Sequence, residues 1–229
     1  MTLPISTEYL SLALQDGIQS SEVVLRHRAI GDLLLPSGQL VACDPFVTPE
    51  ALPFNLGLPR GAFPVVLSVA EISTDQRVAF ATVCFSQASP VKWEMMATGS
   101  DDPSQLQPGE MFGYGVDSGT GCFMDPLAGK ALAQKMQAPH RSLWQTVKGL
   151  VRRRKKEKEF YEILMAEMDK TYRHTWSWLN MSFGDANLVA FSSGDGDGLY
   201  ATYAGFDSRG EVAVVVTDFM VLEESGESD

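Results

Sequence analysis

Few of the 229 residues could build a covalent or metal scaffold: there are three cysteines and three histidines. An odd, low cysteine count without a CxxC pair argues against a disulfide framework and fits a reducing cytoplasm. The histidines His27, His140 and His174 are scattered, so a structural zinc site is not expected. Long hydrophobic runs are missing as well. The longest, such as Val212 to Val216, is far too short for a bilayer, and MTLPISTEYL lacks a basic start followed by an apolar stretch. No GxSxG elbow occurs, which removes the common serine-hydrolase arrangement. Phosphate cradles fail too. Gly129-Lys130 has Met124 where the first glycine belongs and Ala131 where Ser or Thr belongs, and GYGVDSG is not GxGxxG.

Positive charge is scarce, with 18 basic against 29 acidic residues and a net charge of -11. It is also confined. Ten Lys/Arg against five acids lie between Arg141 and His174, so the rest of the chain carries a net -16. A surface so acidic repels nucleic acid and membrane phosphates and favours basic protein partners or cations. The run Arg152 to Lys158 has no interleaved aromatics and reads as a solvated helical face. The balance of 45% hydrophobic and 21% charged residues is that of an ordinary globular protein with a real core.

Glycine and aspartate are abundant in two places: GYGVDSGTGCFMD, from Gly113 to Asp125, and SSGDGDG, from Ser192 to Gly198. Each sets carboxylates among residues without side chains, a composition that makes tight, exposed loops. Around them, Glu22 to Leu35, Gln39 to Cys43, Phe63 to Ile72, Arg77 to Ser86, Val91 to Ala97, Ala186 to Ser192, Leu199 to Gly205 and Glu211 to Leu222 read as strands. The first is expected to break at Gly31-Asp32. Asp207-Ser208-Arg209-Gly210 marks a hairpin. Helices are expected over Thr7 to Gln15, over Pro126 to Gln137 with proline at the first position, and across Ser142 to Leu179. In the last, Trp144, Val147 and Val151 fall on one face and Phe160, Leu164, Met168 and Tyr172 on another. The expected fold is α+β: an antiparallel, strand-rich single domain over residues 1–229 with a helical insertion at about 137–185.

Several strings resemble an uncharacterised bacterial family known only as a domain of unknown function. They are GDLLLPSGQLVACDP, FPVVLSVAE, RVAFATVCFS, KWEMM, GYGVDSGTGCFMD, VAFSSGDGDGLYATYAGFDSRGEV and VTDF. The resemblance covers roughly Gly31 to Ala133 and Ala186 to Leu222. It implies a shared fold and shared Gly/Asp loops, and it carries no activity.

Two functional readings follow. In the first, the protein is an acidic interaction or regulatory protein, toxin-neutralising (immunity-like) by analogy, that presents its Gly/Asp face to a protein partner. In the second, the loops bring Asp117, Asp125, Asp195 and Asp197 together in a metal-assisted hydrolase. Asp117, Asp195 and Asp197 would then hold a divalent cation, with Asp117 or Asp197 as base, Asp125 as second acid and Ser193 as positioner. Against this stands plain turn chemistry: Asp bonds its own backbone in Asx-turns, and Asp125 precedes Pro126 as an N-cap. An EF-hand is excluded, since position twelve counted from Asp195 is Phe206. Cys122 is either a loop nucleophile or a small buried hydrophobe.

Overall fold

The computed structural model describes residues 6–19, 23–107, 109–136 and 160–222. The chain is strand-rich and antiparallel, with few helices. Helix α1 (Thr7–Ser11), capped by the Ser6 hydroxyl, runs into a 3-10 turn at Leu12–Leu14. Then come β1 (Val23–Leu35), β2 (Val41–Cys43), β3 (Gly61–Ile72), β4 (Asp75–Cys84), β5 (Lys92–Met95), β6 (Tyr114–Val116) and β7 (Thr120–Met124). Helix α2 (Pro126–Met136) and a helical stretch at 160–169 precede β8 (Trp178–Phe183) and β9 (Ala186–Ser192). The chain closes with β10 (Gly198–Tyr200), β11 (Thr202–Phe206) and β12 (Val212–Asp218).

Six strands form one sheet in the order β1-β3-β4-β12-β11-β5, four form a second in the order β2-β7-β9-β8, and β6 pairs with β10. The two larger sheets face each other across one core, with Leu33, Leu35, Val65, Leu67, Val83 and Val215 meeting Phe123, Val189 and Phe191. On the outer face of the six-stranded sheet, α1 lays Tyr9 and Leu10, and the 3-10 turn lays Ala13, over Phe80, Ala201 and Val216. On the outer face of the four-stranded sheet, Leu132 of α2 and Leu164 and Met168 of helix 160–169 cover Cys122, Met124, Leu188 and Ala190. Each large side chain so buried stabilises the fold by about 1.5–3 kcal/mol relative to exposure.

Bulges decide which face each strand offers. In β1, Leu25 packs towards α1 while Leu33 and Leu35, of the same parity, pack between the sheets. The switch is the unpaired Ile30, because Ala29 opposes Val66 and Gly31 opposes Val65. Gly31, at φ +108, makes that step possible. The expected break in this strand is thus a bulge within one continuous strand. Ala79 does the same in β4, sending Val78 and Phe80 to opposite faces. Ala213, passed over between the Gly205–Val214 and Phe206–Val212 pairs, repeats the device in β12.

Two segments differ from the sequence expectation. Residues 120–124, read as part of a glycine loop, are an interior strand, buried throughout. Residues 178–183, inside the expected helical insertion, form β8, paired along its length with β9. Helical structure appears at 160–169, and the expected Trp144, Val147 and Val151 face lies outside the described residues. Leu164 and Met168 are buried as the periodicity requires, whereas Tyr172 is exposed.

Candidate functional site

The two Gly/Asp loops, far apart in sequence, are fastened to each other. The Gly119 amide donates to Asp197 Oδ1 at 3.2 Å, and the Ser193 amide donates to the Gly119 carbonyl at 3.1 Å. The cause is the antiparallel pairing of β7 with β9, which sets Thr120 opposite Ser192 and brings the loop before one strand against the loop after the other. The pairing of β6 with β10 closes the same corner.

The second loop is braced from within. The Ser193 hydroxyl donates to the Gly196 carbonyl at 2.8 Å, the Gly196 amide donates to the Ser193 carbonyl at 2.7 Å, and Tyr200 Oη donates to the Gly196 carbonyl at 2.9 Å. Burial, then the charges of Asp195 and Asp197, raise the Tyr200 phenol above its ordinary range, so it stays a donor. Gly194 has φ +49, and a Cβ there would stand 2.9 Å from the Phe219 carbonyl, so no side chain fits this bend. Ser193 is fully buried and acts as an internal brace of its loop.

The first loop hangs on a carboxylate that sequence reasoning missed. Asp44, 0% exposed, accepts from the Asp117 amide (3.0 Å) and the Ser118 amide (2.9 Å) at Oδ2. Its Oδ1 accepts from the Ser118 hydroxyl (2.8 Å) and the Phe46 amide (2.9 Å). Its signal in the sequence is Asp-Pro after an apolar strand, which reads only as a strand stop.

Asp117, Asp195 and Asp197 are all exposed on this corner, and Asp195, 78% exposed at its side chain, lies 3.6 Å from Arg77 Nε. Asp125 does not join them. It sits at the opposite end of β7, about 16 Å along the strand from Thr120. There it is fully buried: Oδ1 caps α2 through the Leu127 amide (2.9 Å), and Oδ2 accepts from the Ser37 amide (2.8 Å) and hydroxyl (2.6 Å). Among the described residues, no group of three or more His, Cys, Asp or Glu is disposed to hold a metal ion.

Beside the corner an open cleft of about 800 Å³ lies between the arm Phe46–Leu52, the stretch Gly113–Gly115 and α2. Glu50 and Asp101 supply its carboxylates, and Cys43 and Ala133 line it.

A family model described as "Protein of unknown function (DUF4241)" matches residues 33–217, four-fifths of the chain and both Gly/Asp loops. The chain belongs to this family. Its description carries no activity, so the chemistry has to be read from the site. Neither a curated protein nor a solved structure matches. The described residues of this DUF4241 chain contain no helix long and apolar enough to cross a membrane.

Proposed function

We propose that this α+β chain, strand-rich with a helical insertion ahead of β8, is a cytoplasmic interaction protein that presents its paired Gly/Asp loops to a basic protein partner. The observation that carries this reading is the fastening of Gly119 to Asp197 and Ser193, which leaves Asp117, Asp195 and Asp197 outward on one braced corner. Loops ordered before contact lose little entropy on binding, and a patch of one sign steers an oppositely charged partner. The net charge of -11 extends that field beyond the corner. A toxin-neutralising (immunity-like) role fits this chemistry by analogy.

A metal-assisted hydrolase has less support. Asp125 lies at the far end of β7 with its oxygens engaged, and the Ser193 hydroxyl is turned into its own loop.

The test is affinity capture from the native host with the wild type and with Asp117→Asn/Asp195→Asn/Asp197→Asn. The wild type should retain a basic protein in a salt-sensitive manner, and the triple variant should lose it. Equal capture by both would overturn the assignment of the corner.

A further inference from the structure

Cys43 and Cys122 are direct register partners on β2 and β7. Their sulfurs stand 3.6 Å apart, both residues are fully buried, and both project towards α2. A disulfide needs an S–S distance of about 2.05 Å and Cβ atoms about 3.5–4.5 Å apart. Opposed residues on antiparallel strands already hold their Cβ atoms about 4.5–5.5 Å apart, so a small approach of two neighbouring strands suffices. The third cysteine, Cys84, lies in the other sheet, opposite Val214. Cys43 belongs to the wall of the 800 Å³ cleft and Cys122 does not; both are 0% exposed, so an opening of that wall is what would bring a small reagent to Cys43 first.

We propose that Cys43 and Cys122 form a dithiol–disulfide pair, oxidised by a low-molecular-weight disulfide that enters the cleft. This inference does not depend on the partner proposed for the Gly/Asp corner. Cys43 loses its proton and its sulfur attacks one sulfur of the reagent, breaking the reagent's S–S bond and releasing one thiol. Cys122 then loses its proton and attacks the Cys43 sulfur, breaking the mixed disulfide and releasing the second thiol. Two protein thiols are oxidised by two electrons, one reagent disulfide is reduced to two thiols, and the two protons end on those thiols. Burial pushes the Cys122 thiol well above its ordinary range, which suits it to the second, intramolecular step rather than to capture of reagent.

Asp44 directly follows Cys43 and carries the amides of Asp117 and Ser118. Drawing β2 onto β7 therefore reaches the Gly/Asp corner, and the bridge becomes a redox input to it.

The probe is cystamine, a small cationic disulfide suited to an acidic protein, applied to folded Cys84→Ser at mildly alkaline pH. Intact mass should fall by two hydrogens, proteolysis should yield a linked pair of fragments containing Cys43 and Cys122, and dithiothreitol should reverse both changes. Amide exchange at Asp117 and Ser118 should change with oxidation. Cys122→Ala in the same background should stop at a mixed disulfide on Cys43. Persistence of both thiols in the folded protein overturns the proposal, as does a link that forms only in denaturant. A mixed disulfide that accumulates on Cys122 instead would overturn the order of the two steps.

Discussion

The buried carboxylate of Asp44 grips Ser118 twice, taking its amide at 2.9 Å on one oxygen and its hydroxyl at 2.8 Å on the other. With the amides of Asp117 and Phe46, four donors converge on this one side chain. Asp44→Asn turns an NH2 group towards donors that need an acceptor, so it should destabilise the protein by about 2–3 kcal/mol. In urea the midpoint should fall with an unchanged m-value, and the Asp117 and Ser118 amides should exchange faster. A shift under about 0.5 kcal/mol would place Asp44 among ordinary surface positions and remove its role.

Asp125 separates structural from chemical duty in the same way. It caps α2 through the Leu127 amide and ties down the turn at Ser37. Asn retains the cap through its amide oxygen but turns its NH2 group towards the Ser37 amide, so Asp125→Asn should cost about 1–2 kcal/mol. Asp125→Ala loses the cap as well and leaves the Ser37 donors unmet, at about 3–4 kcal/mol. Thermal melts of the two variants should differ clearly. Equal midpoints would mean that capping is not what Asp125 does.

How much of this was legible in the sequence follows from range. The strands other than β6, β7 and β8, the start of α2 at Pro126 and the hairpin at Asp207–Gly210 were readable because each is set by neighbouring residues. There Asp207 Oδ1 takes the amides of Arg209 and Glu211, a local bond pattern. The faces of β1, β4 and β12 were not readable, because Ile30, Ala79 and Ala213 reset the alternation only when paired with a partner strand. Asp44 was invisible for the same reason: its Phe46 bond is local, but its Ser118 bonds cross 74 positions. The four aspartates looked alike in composition, and only the pairing of β7 with β9 separates Asp197 at one end from Asp125 at the other. Residues 120–124 were read as loop because Gly119 precedes the run and Gly121 lies within it, yet Gly121 is held in a strand by packing.

That packing yields a paired prediction. A Cβ on Gly121 would stand 2.8 Å from Tyr114 Oη and 3.3 Å from the Phe191 ring. Tyr114 Oη is buried without a hydrogen bond among the described residues, and the Thr217 hydroxyl nearby is paired with Thr202. Gly121→Ala should therefore destabilise by about 1–3 kcal/mol through overpacking. Tyr114→Phe should be neutral or stabilising, since it deletes a buried polar atom with no partner to lose. The double variant should recover most of the alanine's cost, a coupling readable in a double-mutant cycle. Strict additivity would show that the crowding arises elsewhere.

Acid sensitivity has a specific source in His27. Burial lowers its pKa below the ordinary 6.5, and the opposing attraction of Asp16 does not restore it. Asp16 accepts from the His27 amide at 2.9 Å, and Arg26 and Arg28 flank the ring in sequence. Between the folded value and 6.5 the unfolded chain holds more protons than the native one, so stability rises with pH across that window and falls on acidification from 6.5 downward. Asp16, Asp75 and Asp207 act in a separate, lower window. The His27 amide, the Arg77 guanidinium and the Glu211 amide respectively hold their carboxyls below 3.8, so their contributions are lost only as pH falls below that value. The thermal midpoint should therefore drop as pH falls below 6.5, and His27→Gln should flatten that drop while leaving the more acidic transition in place. An unchanged slope in the His27→Gln variant would assign the loss to another group.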